Sequence, residues 1–198
     1  HGIDGVLRKN FIDLRKQPDI LWNLIAQTPA AALGSTRSKI KEGNITEILS
    51  VLAQHQIRFL FIIGGNDSAD TGHTLYLAAE ANGYELSVIN VPKTRDNDPI
   101  LTDHSPRYGS AARFVVLATM GAGQDAKSMG HASPITIIEV MGRDTGWLAA
   151  SASLAKNDDT DPPHIICVPE VPLNEDHFLT RVEDTYKKLG FVIAVVAE

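Results

Sequence analysis

The sequence predicts an α/β fold of doubly wound parallel sheets with flanking helices. Two observations carry this: five short, β-branched apolar runs alternate with longer stretches of helical pattern, and the polar, glycine-rich clusters fall directly after the strand runs. A β-α-β order favours parallel strands joined by right-handed crossovers. The strands are expected at 59–63, 86–91, 135–141, 165–168 and 191–196, and their unbroken apolarity predicts burial on both faces. Helices are expected at 45–55, 68–82, 107–120, 146–156 and 175–189. Asn44, with Glu47 three residues on, reads as a cap for the first, and Ala81-Asn82-Gly83 as the stop of the second. Gly121-Ala122-Gly123 reads as a helix end and not as a nucleotide fingerprint, because the third glycine of that fingerprint is missing.

Composition narrows the function classes. The 198 residues are 43% hydrophobic and 21% charged, which is ordinary for a globular chain long enough for one large domain or two modest ones. Eighteen basic against 24 acidic residues give −6, with no basic run to track a phosphodiester backbone, so a small molecule is a better partner than nucleic acid. No apolar run approaches the roughly 20 residues of a bilayer span, so no membrane partner is expected. The single cysteine, Cys167, excludes an intramolecular disulfide and reads as a buried, inert thiol, which fits a cytoplasmic location. The acidic stretch 156–163 ends in two prolines and reads as a solvated loop. His1 in place of Met, and Glu198 directly after an apolar run, create the expectation that both ends are cut. A domain change is expected near 104–108, giving parts 1–106 and 107–198.

Two runs bear the chemistry. Gly64-Gly65-Asn66-Asp67-Ser68 follows one strand, and Lys93-Thr94-Arg95-Asp96-Asn97-Asp98 follows the next. Glycines let backbone approach a phosphate, amides at a helix start attract its charge, carboxylates hold Mg²⁺ or take a proton, and lysine offsets negative charge. Asp96, Asn97 and Asp98 can also form a plain Asx-type turn, but a solvated loop has no need of two carboxylates on alternate positions beside a cation. Parallel sheets bind ligands beyond the carboxyl ends of their strands, so these clusters, with Met141 to Asp144, Pro169-Glu170 and Glu198, are expected to share a crevice. The histidines show no metal-ligand spacing, Trp22 and Trp147 read as packing residues, and Glu170 as a helix-flanking carboxylate.

With Gly34-Ser35-Thr36-Arg37, Thr102-Asp103-His104, Gly109-Ser110-Ala111-Ala112 and Met141-Gly142-Arg143 in the same order, the chain resembles the phosphofructokinase family, and within it the pyrophosphate-dependent branch. The resemblance implies a central fragment of a longer glycolytic phosphotransferase, with a donor-side part at 1–106 and a sugar-phosphate-side part at 107–198. It implies transfer from pyrophosphate to the 1-hydroxyl of fructose 6-phosphate with Mg²⁺, in an intact enzyme that is a homo-oligomer. Asp96 matches the proton acceptor, and Thr94 and Arg143 join it as catalytic residues. Thr94, Asp96, Met141, Gly142, Arg143 and Glu198 match the sugar-phosphate contacts, while Gly64, Gly65, Asp67, Ser68, Lys93 and Arg37 match the donor side. Asp67 and Lys93 stand where ATP-using members have glycine, and Pro134 where short bacterial ATP-dependent members have arginine; these point to pyrophosphate. Asn66 occupies the usual metal-ligand position, which shifts the metal to Asp67 or Asp98, and Arg95 replaces an apolar residue. An ATP-dependent 6-phosphofructokinase and a catalytically silent phosphate-binding or assembly domain are the alternatives.

Overall fold

The computed structural model describes residues 1–28 and 30–198. The chain forms two compact units, His1–Val91 and Pro92–Glu198. The division lies fifteen residues before the expected 106/107 boundary (106 − 91), because the loop after the second strand folds with the later unit.

The first unit contains helices α1 (Gly2–Leu7), α2 (Asp19–Gln27), α3 (Glu42–Gln54) and α4 (Asn66–Ala81), with strands β1 (Phe59–Gly64) and β2 (Ser87–Pro92), the last of which ends just past the division. Strands β1 and β2 are hydrogen-bonded neighbours. The core gathers Ile48, Leu49 and Leu52 of α3, Leu75 and Ala79 of α4, and Leu86, with Ile3, Val6 and Leu7 of α1 packed against it. The α3 apolar positions recur at helical spacing and so present one buried face. Its first turn begins after Lys41 without a side-chain cap, three residues before the expected Asn44. Helix α2 buries no residue, and Trp22 on it remains 39% exposed, so it is not the packing residue expected. Strand β1 is not buried on both faces either: Phe59, Phe61 and Ile63 are all more than half exposed, while Leu60 and Ile62 pack on the core.

The second unit contains α5 (Tyr108–Met129), β3 (Ile135–Val140), α6 (Trp147–Ser151, continued by a 3₁₀ turn to Ala155), β4 (Ile165–Cys167), α7 (Glu175–Leu189) and β5 (Val192–Ala197). Its sheet is parallel in the order β3-β5-β4, with Ile135 opposite Val192, Val140 opposite Ala197 and Ile165 opposite Ala194. The central strand alternates as a pleated strand must. Val192 and Ala194 pack with Phe178, Val182 and Tyr186 of α7, while Ile193 and Val195 join clusters with α5 and α6 residues. Helices therefore cover both faces at β5, the doubly wound arrangement expected. The edge strand β3 departs from the expected two-faced burial, with Ile137 57% exposed.

Helix α5 runs nine residues past the expected stop at 120. Gly123 does not end it: a Cβ there would overlap the Pro162 ring, so the glycine admits a close neighbour, and the turn ends instead at Gly130 with φ +52°. His164 opens β4. Its backbone N–H donates to Ile193 O at 2.9 Å, and its ring Nδ1 accepts from Ile193 N–H at 2.9 Å. Cys167 is a half-buried free thiol whose pKa is raised by burial, which keeps it protonated.

Candidate active site

On the first unit, the turn after β1 holds the glycine-rich run. Gly64 is buried, and a Cβ on it would overlap the Ser68 side chain, so the tight strand-to-helix turn requires glycine. Gly65 precedes α4, and its carbonyl accepts from Ser68 N–H at 3.0 Å and Ala69 N–H at 3.1 Å. Asp67 lies exposed on the first turn of α4, with Lys39 Nζ 3.5 Å from its Oδ1. Arg37 is also exposed. Its neighbours Thr36 and Ser38 donate hydroxyl hydrogen bonds to the Asp4 carboxylate of α1, which lowers that carboxylate's pKa and anchors the segment.

On the second unit, the loop after β2 is closed at its neck by a bridge between Thr94 and Arg107. Inside it, Asn97 is 3% exposed; its Nδ2 donates to Asp103 O at 3.1 Å and its Oδ1 accepts from Ser105 N–H at 2.7 Å. Asn97 therefore clamps the loop across six to eight residues and does not form a local Asx turn. Thr94 Oγ1 accepts from Asp96 N–H at 3.2 Å, so its hydroxyl supports the Asp96 backbone. Lys93 is half-buried beside it.

The carboxyl ends of β3 and β5 supply the other wall. Glu198 N–H donates to Val140 O at 2.8 Å, which places the Glu198 backbone beside the start of the Met141–Asp144 turn. Within that turn Thr145 N–H donates to Gly142 O at 3.0 Å. Gly142 has φ +157° and no room for a Cβ against the Thr145 carbonyl, while Arg143 adopts φ +51°. Four of the six non-glycine residues with positive φ among the described residues, Asn97, Leu101, Arg107 and Arg143, lie in these two segments. Such conformations concentrate where surrounding structure holds a site against local preference.

Asp96 is the electrostatic centre of this unit. Its Oδ1 is buried without a hydrogen-bond partner, with Arg95 Nε 3.5 Å away. Burial raises its pKa, against which Arg95 and Arg143 lower it, while Asp98 and Glu198 raise it further. The structure thus brings Asp96, Asp98, Arg143 and Glu198 into one electrostatic environment, with Thr94, Met141 and Gly142 on the same two loops. The expected donor residues Gly64, Gly65, Asp67, Ser68 and Arg37 belong to the first unit, and Lys93 to the second.

No three metal-ligating side chains cluster among the described residues. A Mg²⁺ ion needs only one or two carboxylates when phosphate oxygens and waters complete its shell, and Asp98, a hard oxygen donor beside Asp96, fits that chemistry. Reading the sequence missed three supports: the Asn97 clamp, the Thr145 hydroxyl, and Glu170, whose Oε1 accepts from Gly146 N–H at 2.8 Å. For Asn97 the signal was its place inside the carboxylate run, for Thr145 proximity to the Met-Gly-Arg motif, and for Glu170 only its place shortly after a strand. No helix among the described residues is long and apolar enough to cross a membrane.

The whole chain, residues 1–198, matches the family model described as phosphofructokinase. It is 38% identical over its full length to the pyrophosphate--fructose 6-phosphate 1-phosphotransferase of Halomonas elongata, covering 49% of that protein. Its fold superposes on the crystal structure of a pyrophosphate-dependent phosphofructokinase from Nitrosospira multiformis with a TM-score of 0.89 at 35% identity, covering all of this chain and 50% of that one. An ATP-dependent 6-phosphofructokinase from Amycolatopsis methanolica is 32% identical over the full chain and is covered to 41%. The chain spans about half the length of the curated relatives it matches. The family match runs from the first residue to the last, and the chain belongs to the phosphofructokinase family.

Proposed function

We propose that the chain carries the sugar-phosphate site, and part of the donor site, of a phosphotransferase that moves a phosphoryl group from pyrophosphate to the 1-hydroxyl of fructose 6-phosphate. The observation that carries this reading is Asp96: a carboxylate with one oxygen buried and in no hydrogen bond, its proton affinity raised chiefly by burial, with Arg95 Nε 3.5 Å away and Arg143 and Glu198 in its electrostatic surroundings. A base held in that state suits removal of a hydroxyl proton near neutral pH.

In the proposed reaction Asp96 takes the proton of the 1-hydroxyl as that oxygen attacks the terminal phosphorus of pyrophosphate. The bridging P–O bond breaks and orthophosphate leaves. Arg143 offsets charge on the sugar phosphate and in the transition state, and Glu198 accepts hydrogen bonds from sugar hydroxyls. Met141 and Gly142 shape the turn that presents Arg143, and Thr94 holds the Asp96 backbone. Lys93, Arg37 and the amides after Gly64 and Gly65 are assigned to pyrophosphate, with Asp67 disfavouring a nucleotide by bulk and charge. A Mg²⁺ ion held by Asp98, or by Asp67 on the donor side, would supply charge neutralisation on the phosphates. In this reading 1–106 serves the donor and 107–198 the sugar phosphate, with Asp96 acting on the hydroxyl of the sugar phosphate.

The test is Asp96→Asn, assayed in a polypeptide of the relatives' length that carries this chain. Turnover is expected to fall by about 100- to 10,000-fold with little change in affinity for fructose 6-phosphate. Near-normal turnover would remove Asp96 from the role of base.

A further inference from the structure

Two loops meet at the candidate site, and one side chain touches the backbone of both. Thr145 Oγ1 lies 3.2 Å from Asp96 O and 3.2 Å from Gly142 O. The hydroxyl has one proton, so it is shared between the two carbonyls in a three-centre hydrogen bond. Asp96 and Thr145 are 49 residues apart in sequence, so no local geometry accounts for the contact.

We infer that Thr145 is a positioning residue whose hydroxyl sets the loop bearing Asp96 against the turn bearing Arg143. The inference rests on the sugar-phosphate reading of that site. Three features fit it. Thr145 N–H closes the turn onto Gly142 O, so the side chain leaves a backbone already fixed. The next residue, Gly146, is tied from the other side: its N–H donates to Glu170 Oε1, and Val168 Cβ would lie 2.5 Å from a Cβ added there. A β-branched residue has few χ1 wells, so threonine holds its hydroxyl toward the carbonyls at lower entropic cost than an unbranched donor would. Thr145 is thus fixed at its backbone, and its hydroxyl is shared between the Asp96 and Gly142 carbonyls. Removing the hydroxyl leaves turn and loop individually intact but unregistered.

The test compares Thr145→Val, which keeps shape and loses the donor, with Thr145→Ser, which keeps the donor. In the 198-residue chain, NMR reads the backbone carbonyl carbon of Asp96, whose shift reports a hydrogen bond to its oxygen, and calorimetry measures binding of fructose 6-phosphate and, separately, of inorganic pyrophosphate. In Thr145→Val the Asp96 carbonyl carbon is expected to move upfield as its oxygen loses the hydroxyl donor. Affinity for fructose 6-phosphate should fall about three- to tenfold, the scale of one hydrogen bond, while that for pyrophosphate holds. Thr145→Ser should recover most of both effects. An unchanged Asp96 carbonyl shift in Thr145→Val, equal loss of both ligands, or a serine variant no better than valine would overturn the inference. If Thr145→Val fails to fold, Thr145→Ala is read by the same criteria. Should the unaltered chain bind no fructose 6-phosphate, the sugar-phosphate reading fails, and the Asp96 carbonyl shift still decides whether Thr145 sets that loop against the turn.

Discussion

Asp96 and His164 respond to protons in ways that follow from their surroundings. Asp96 has its pKa raised chiefly by burial, so the folded chain holds that proton more tightly than the unfolded one. Its ionised form therefore weighs against folding once pH exceeds the ordinary carboxylate range. Asp96→Asn removes that cost: thermal unfolding at pH 7 should shift upward, and the difference should vanish at pH values below about 3.9. A variant less stable than the parent at pH 7 would show that the carboxylate is structural. His164 has the opposite dependence. Burial is the main cause of its lowered pKa, with Lys156 and Lys127 adding to it and Thr160 O and Asp161 opposing it. Its Nδ1 must stay unprotonated to accept from Ile193 N–H. The folded chain binds this proton more weakly than the unfolded one, so the contribution is complete above about pH 6.5 and is lost as pH falls below it. Denaturant midpoints measured against pH should decline on that limb, and His164→Asn, which retains an acceptor near Nδ1, should flatten it.

Among the elements, α7 was legible to its last residue because every local signal agrees. Asn174 caps it through His177 N–H, Glu175 and Asp176 occupy the first turn, Lys187 and Lys188 the last, and Gly190 follows at φ +82°. Helices α1 and α2 escaped the reading: the first has six residues and no side-chain cap, and the second has no buried face to impose a period. The extension of α5 escaped it for a different reason. Gly123 is a packing glycine, and only the fold reveals that Pro162 lies against it. Gly123→Ala improves helix propensity yet forces a methyl into a rigid ring, so it should destabilise the second unit by about 1–3 kcal/mol in urea unfolding. Any gain in stability would mean that Pro162 yields freely. The strands were located well, but β1 and β3 show that a continuous apolar run does not ensure cover on both faces.

For the molecule as a whole, the candidate site residues were visible in short motifs, whereas the contacts that hold them in place were not. Asp96, Arg143 and Glu198 could be picked out because carboxylates and arginine after apolar strands have a chemical reading. The hydrogen bonds from Thr145 to Asp96 and from Gly146 to Glu170 span 49 and 24 residues, and a sequence pattern carries no such pairing. The division after Val91 has the same origin, since the Asn97 clamp and the Thr145 contact hold the loop after β2 within the second unit. Family membership fixes the fold, and the proposed choice of pyrophosphate as donor rests on Asp67 and Lys93. The measurement that tests the account most directly is the rate of fructose 1,6-bisphosphate formation from fructose 6-phosphate with pyrophosphate and with ATP, by a polypeptide of the relatives' length containing this chain. Turnover with pyrophosphate and little with ATP is the predicted result; comparable or faster turnover with ATP would contradict it.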